Sequence, residues 1–165
     1  MESKRFDELS KAVASRGGVV LCSRRNAEFF RYQAFPAIFS TSVLPHEIAG
    51  YDAALDIFER EDWRRHHLHR NHAYLRSRIA ALGYNIDTAD AQIISLEPGE
   101  ARYLLLLRDA LESRGVFGSV FYPPATPDRR CLMRFTLNCN LTTAELDHII
   151  GVCRDIRDEV HLSEW

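Results

Sequence analysis

The chain has 165 residues, enough for one domain that buries about 70% of the surface exposed by its unfolded form. Its net charge of −2, with 46% apolar and 27% charged residues, is ordinary for a globular protein and predicts neither nucleic-acid nor membrane binding. No apolar run approaches the roughly 20 residues of a membrane-spanning helix, and the first residues do not resemble a signal peptide. Four cysteines without CxxC spacing predict reduced packing residues in a cytoplasmic protein.

The first part of the chain predicts a turn, a buried strand and a helix. Lys11 precedes two glycines and the apolar run Val19–Cys22, and by itself it is typical of an exposed surface lysine. Arginines and aromatic residues mix in segment 24–32, which suits a nucleic-acid surface but better suits an amphipathic helix with extended arginines. Ser40 and Thr41 lie in a Ser/Thr-rich turn that would cap the next helix.

A long helical region is predicted between Ile48 and Gly83, because apolar residues recur at helical spacing and the glycine supplies a stop. Within it, His66, His69 and His72 follow one another at three-residue intervals, as metal ligands on a helix can. No carboxylate or cysteine completes a ligand set, and arginines among the histidines repel a cation. A solvated helix face is therefore the better interpretation, and no metal site is predicted.

The second half of the chain alternates between strand and helix signals. Gln92–Glu97 predicts a strand, and Glu100–Arg114 predicts a helix that ends at a glycine. Leu104–Leu107 is more apolar than one buried stripe requires, which indicates a partner surface or deeper packing. Thr142 and Glu145 form a capping-box pattern that opens the final helix.

Two β-rich runs, Val116–Tyr122 and Leu132–Leu137, flank the proline-rich loop Pro123–Pro127. The second run alternates, so that Arg134 and Thr136 lie with Leu132 on one side, opposite Met133, Phe135 and Leu137. A buried guanidinium must be paired, so this polar side is predicted to face a cleft with the proline loop at its lip. The alternative is that Arg134 pairs with a carboxylate on an exposed sheet face, which is common for single charges on strands.

The order helix, strand, helix, strand, strand, helix predicts an α+β fold, with helices packed on one face of a small, mainly antiparallel sheet. The motif PPATP…LMRFTLN and the capped helix after it resemble the C-terminal small domain of the α-oxoamine synthases. These are fold-type I, class-II-like aminotransferase relatives that use pyridoxal 5′-phosphate (PLP). The motifs GVFGSVF and YQAFPAIFSTSVLPHEIAG are similar to the CqsA-type synthases of quorum-sensing autoinducers. The resemblance extends from about Leu9 to Arg157. It implies a remnant of the large domain and linker at 1–45 and the small domain at 46–165.

The resemblance also implies roles for individual residues. Lys11 corresponds to the catalytic lysine that binds PLP covalently, although Glu8 stands where the family has a hydroxyl in contact with the cofactor phosphate. Ser40 and Thr41 match linker hydroxyls that reach the phosphate of PLP in the neighbouring subunit. Arg134 matches the arginine that grips the substrate carboxylate.

The implied activity is transfer of an acyl group from acyl-CoA to a small α-amino substrate by a cytoplasmic, PLP-dependent homodimer. The product would be the precursor of a hydroxyketone or aminoketone autoinducer. In the family, a large N-terminal domain supplies most other cofactor contacts, so the chain alone is expected to be inactive and to bind PLP weakly or not at all. The alternative is a stand-alone α+β domain that binds an anionic ligand on the Arg134 face or docks another protein.

Overall fold

The computed structural model describes residues 5–8, 11, 13, 16–39, 42–86 and 91–165, and the chain divides into two compact units, Met1–Asp62 and Trp63–Trp165. No helix formed by these residues combines the length and apolar character needed to cross a membrane. The predicted division between residues 45 and 46 concerns the domains of the whole family fold and stays a prediction.

The first unit contains a two-stranded antiparallel ribbon and three helices. Its elements are β1 (Arg5–Glu8), β2 (Gly18–Leu21), α1 (Arg24–Gln33), α2 (Phe35–Ile38) and α3 (Pro45–Arg60). The Ser23 hydroxyl caps α1 by accepting from the backbone N–H of Asn26 at 3.4 Å. At the start of α3, the Glu47 carboxylate accepts from the backbone N–H of Leu44 at 2.8 Å. Each of these helices therefore begins where a side-chain oxygen can accept a hydrogen bond from a backbone N–H group.

The strand predicted near residue 19 is present as β2, but the prediction that it is buried is wrong. Val19, Val20 and Leu21 are 39%, 37% and 56% exposed. Their apolar character matches a buried strand. Among the described residues, however, β2 pairs only with β1, and a two-stranded ribbon by itself does not bury its side chains.

The second unit has an α+β architecture. Its elements are α4 (Trp63–Ala81), β3 (Ile93–Gly99), α5 (Ala101–Glu112), β4 (Ser119–Phe121), β5 (Cys131–Thr136), α6 (Thr143–Asp155) and a 3₁₀ turn (Leu162–Glu164). The strands form an antiparallel sheet in the order β3-β5-β4, and α4 and α5 pack against it while α6 packs on α4. The predicted small antiparallel sheet with packed helices is confirmed.

The hydrophobic core lies between the sheet and these helices. Leu104 and Leu107 of α5 are fully buried, whereas Leu105 and Leu106 between them are exposed, so the apolar run is indeed wider than the buried stripe. The Tyr84 hydroxyl donates to the carbonyl oxygen of Cys153 at 2.8 Å within this core. Burial raises the pKa of the Cys153 thiol to about 12, because the thiolate would be poorly solvated there.

The helix ends of the second unit follow the predicted signals. The helix α4 stops shortly before Gly83, which adopts a φ of +90°. At the start of α6, the N–H of Thr142 donates to Glu145 Oε2 at 2.7 Å, and the N–H of Glu145 donates to the threonine hydroxyl at 3.3 Å. The predicted capping box is therefore confirmed. The backbone N–H and the hydroxyl of Thr142 both donate to Glu145 Oε2, and these two hydrogen bonds lower the pKa of Glu145.

Candidate functional site

Arg134 lies at the centre of the three-stranded sheet, on the middle strand β5. Its neighbours in sequence, Met133 and Phe135, point into the core and are buried, so Arg134 points to the opposite face. The sheet register places Ser95 of β3 and Ser119 of β4 directly opposite Arg134 on either side. Directly opposite residues share a face, so the arginine is flanked by two small hydroxyl side chains, of which Ser95 is buried and Ser119 is exposed.

The Arg134 guanidinium has no counter-ion among the residues that the structure describes. Its carbon Cζ lies 4.4 Å from the centroid of the Phe121 ring, and its Nε is buried without a hydrogen-bond partner there. The alternative that this arginine pairs with a carboxylate of the same sheet is therefore wrong for the described part of the chain. A half-buried cation without an acceptor has the chemistry of a carboxylate-binding site, because an anionic ligand would supply the missing acceptors.

The proline-rich loop between β4 and β5 is tied to the end of β3 by two ion pairs. Arg130 Nη2 lies 3.1 Å from Glu97 Oε2, and Arg129 Nη2 lies 3.2 Å from Glu100 Oε1. The Glu97 side chain is only 8% exposed, whereas that of Arg130 is 56% exposed, so a buried carboxylate is paired with an arginine that solvent reaches. The Thr126 hydroxyl in this loop is buried without a hydrogen-bond partner in the described structure. The loop is thus fixed at the end of the hairpin that carries Arg134.

Gly118, which precedes β4, permits the close approach of that strand to β5. A Cβ atom at this position would lie 2.6 Å from Met133 Sδ and 3.1 Å from the carbonyl oxygen of Arg134. Any larger residue would push β4 away from the middle strand. The glycine therefore helps to set the register that places Ser119 and Phe121 beside Arg134.

Ser95, Ser119 and Phe121 were not among the residues predicted to form the site. The strand runs that contain them were recognised, but the pairing of strands far apart in the chain cannot be read from either run alone. One signal was available for β4, since Ser119 and Phe121 are two residues apart and so share a face.

Lys11 lies exposed in the loop between β1 and β2 of the first unit. The role of Lys11 in binding PLP stays a prediction. Arg134 belongs to the second unit. Ser40 and Thr41, predicted to contact the PLP phosphate, lie outside the described residues.

The histidine-rich part of α4 makes contacts of its own. The His67 ring meets the Trp63 ring edge-on at 5.4 Å between centroids, and Arg70 Nη2 lies 3.1 Å from His67 Nε2. Across the described ranges, no three histidine, cysteine or acidic side chains come together as metal ligands do.

The family model for aminotransferase class I and II matches residues 9–152, most of the chain. The chain belongs to this family. It is 36% identical over 147 residues to the CAI-1 autoinducer synthase of Vibrio campbellii, covering 89% of this chain and 37% of that protein. It is 31% identical over 146 residues to a putative 8-amino-7-oxononanoate synthase of Paramagnetospirillum magneticum, covering 88% and 37%. The predicted resemblance to the α-oxoamine synthases is confirmed. This chain spans little more than a third of the length of these two relatives.

Solved structures of the family share the fold. A structure of SPT, serine palmitoyltransferase, with its PLP internal aldimine matches 95% of this chain and 40% of that protein, with a TM-score of 0.87 and 23% sequence identity. The predicted fold-type I context is therefore confirmed, and PLP is the cofactor of this structural neighbour.

Proposed function

We propose that this chain is the C-terminal part of a PLP-dependent α-oxoamine synthase that joins an acyl group from acyl-CoA to a small α-amino substrate. The observation that carries the proposal is Arg134, a guanidinium without a counter-ion among the described residues, flanked by Ser95 and Ser119 on the same face of the sheet. The similarity to the Vibrio campbellii synthase supports a precursor of a hydroxyketone or aminoketone autoinducer as the product.

Arg134 binds the carboxylate of the amino substrate in this proposal. The guanidinium offers two N–H groups along one edge, which match the two oxygens of a carboxylate. The hydroxyls of Ser95 and Ser119 flank this position and are suited to donate to the remaining lone pairs of the carboxylate. The grip fixes the α-carbon of the substrate, and fixed orientation is a large part of what such a site contributes to rate.

Lys11 is the residue that would hold PLP covalently, and Ser40 and Thr41 would hold its phosphate. When bound, PLP supplies an electron sink for negative charge at the substrate α-carbon. The Lys11 amine would then be the base that removes the proton from that carbon. The α-carbon would bond to the acyl carbon of acyl-CoA as the C–S bond of the thioester breaks, and coenzyme A would leave as its thiol.

In the same proposal, other parts of the enzyme fold also contact the cofactor. The relatives are much longer than this chain, so the remaining cofactor contacts are proposed to come from residues outside it. We expect the chain alone to be inactive and to bind PLP weakly or not at all. The complete enzyme is proposed to be a cytoplasmic homodimer.

An absorbance titration with PLP tests the proposal. The chain would be titrated alone and together with the N-terminal portion of the Vibrio campbellii relative, expressed separately. We expect a saturable imine band only in the mixture, and we expect Lys11→Ala to abolish it. Arg134→Gln serves as the matched variant: it should keep the band but weaken binding of the amino substrate. Equal signals from the wild type and Lys11→Ala would contradict the role of Lys11.

A second candidate function is a stand-alone α+β domain that binds a small anion. The observation that favours it is that the whole buried core lies in the second unit, which can therefore carry the Arg134 face by itself. Binding of small carboxylates by residues 63–165 without any response to PLP, even in the mixture, would support this alternative.

A further inference from the structure

We infer that Phe121 is a positioning residue of the carboxylate site, whose ring packs against the Arg134 guanidinium and limits its movement. The inference rests on the proposed function, because it assigns Arg134 the role of binding a carboxylate. The ligand class it concerns is the carboxylate of a small α-amino acid.

The register of β4 and β5 brings the two side chains together. Ser119 is directly opposite Arg134, and Phe121 is directly opposite Leu132. Phe121 is therefore the diagonal neighbour of Arg134 on the same face, at a separation that aromatic and long side chains bridge. The distance of 4.4 Å from Arg134 Cζ to the ring centroid is that of a cation–π contact.

The contact with the ring leaves the guanidinium suited to bind a carboxylate. The ring lies against the central carbon of the group, whereas hydrogen bonds to a carboxylate run from the N–H groups at its edge. Nε is buried without a partner in the described structure, so the edge that carries the two terminal nitrogens is the one offered to a ligand. Because the ring holds this edge before the ligand arrives, less side-chain freedom is lost on binding.

No described carboxylate performs this positioning instead. Arg129 and Arg130 of the neighbouring loop each have a glutamate partner, whereas the head group of Arg134 contacts the Phe121 ring. An aromatic ring orients a cation without neutralising it, so Arg134 keeps its full charge for an anionic ligand.

The experiment follows the Nε–Hε signal of Arg134 by NMR during titration with L-alanine, and with L-alaninamide as the probe that lacks a carboxylate. Phe121→Leu removes the ring, Phe121→Tyr retains it, and Phe117→Leu is the control, since Phe117 is an aromatic residue 73% exposed outside the strands. In the wild type, we expect a ring-current shift of the signal and a response to L-alanine but not to L-alaninamide.

Phe121→Leu should lose the ring-current shift and bind L-alanine about fivefold more weakly, whereas Phe121→Tyr and Phe117→Leu should stay within about twofold of the wild type. Unchanged affinity in Phe121→Leu would overturn the inference and leave the proposed function intact. If the wild-type protein does not bind L-alanine, the carboxylate site itself is contradicted, and with it both proposals. Circular dichroism checks the fold of each variant, and Phe121→Met replaces Phe121→Leu if the latter does not fold.

Discussion

The two units of the chain differ in where their apolar side chains lie. Every residue of the buried hydrophobic core falls between Leu75 and Val160, in the second unit, and none of the described side chains of the first unit is buried. Amphipathic helices and an apolar strand are nevertheless present in the first unit. A sequence pattern typical of burial therefore needs a second layer before it contributes to stability. In the proposed complete enzyme, the rest of the fold would provide such a layer.

The largest difference between the two units is expected when one leucine in each is truncated. Leu107 is fully buried in α5, and Leu107→Ala should lower the free energy of unfolding by about 2–5 kcal/mol. Leu55 in α3 is 57% exposed, so Leu55→Ala should change it by less than about 0.5 kcal/mol. Urea denaturation followed by circular dichroism measures both. A comparable loss for Leu55→Ala would mean that the first unit contributes to stability as much as the second.

Glycine substitutions probe the second unit more finely. Gly118→Ala should destabilise it by about 1–3 kcal/mol, because the new methyl group would collide with Met133 beside β5. Gly151 lies within α6 with nothing within 4 Å of an added Cβ, so Gly151→Ala should stabilise the unit by about 0.5–1 kcal/mol.

Gly50 of α3 has the same open surroundings in the first unit. Because none of the described side chains of that unit is buried, Gly50→Ala should leave the thermal midpoint of the second unit unchanged. A gain equal to that of Gly151→Ala would show that the two units unfold together. Differential scanning calorimetry of the three variants distinguishes these results.

The smallest expected effect is a pH dependence located at the start of α6. Hydrogen bonds from Thr142 lower the pKa of Glu145 from its ordinary value of 4.5. A carboxyl with a lowered folded-state pKa stabilises the fold above the unfolded value and loses this contribution as pH falls through the folded value.

Glu145→Gln should therefore make unfolding less dependent on pH below about pH 4.5, in the range where Glu145 becomes protonated. Thr143→Ala is the control, since the neighbouring threonine takes no part in the capping box. Thermal unfolding recorded from pH 3 to pH 7, chosen as roughly the range on either side of that value, checks the prediction. An identical acid response in Glu145→Gln would contradict it.

Local signals predicted most of the second unit. The strand Cys131–Thr136, the helix Ala101–Glu112 and the capping box at Thr142 lie within one or two residues of their predicted positions or boundaries. Each depends on interactions within a few residues of sequence, such as alternation, capping and a glycine stop. Such interactions can be read from a single chain.

The surroundings of Arg134 could be predicted only in part. Alternation placed the arginine on the polar side of its strand, but whether it met a carboxylate or an aromatic ring depended on the register with distant strands. Ser95 is 39 residues away in sequence, and its pairing with Arg134 follows from the packing of the whole sheet. The same reason explains the error at Val19–Leu21, because covering a strand requires a layer that local sequence does not reveal.

The Cys153 thiol can be used to measure the rate at which the core of the second unit opens. It is fully buried, and its pKa of about 12 keeps it protonated at neutral pH, so an alkylating reagent can reach a thiolate only after the core has opened. When reclosing is slower than alkylation, the rate of labelling at this one sulfur equals the rate at which the core opens. Mass spectrometry of the labelled protein at successive times would therefore measure the lifetime of the native core.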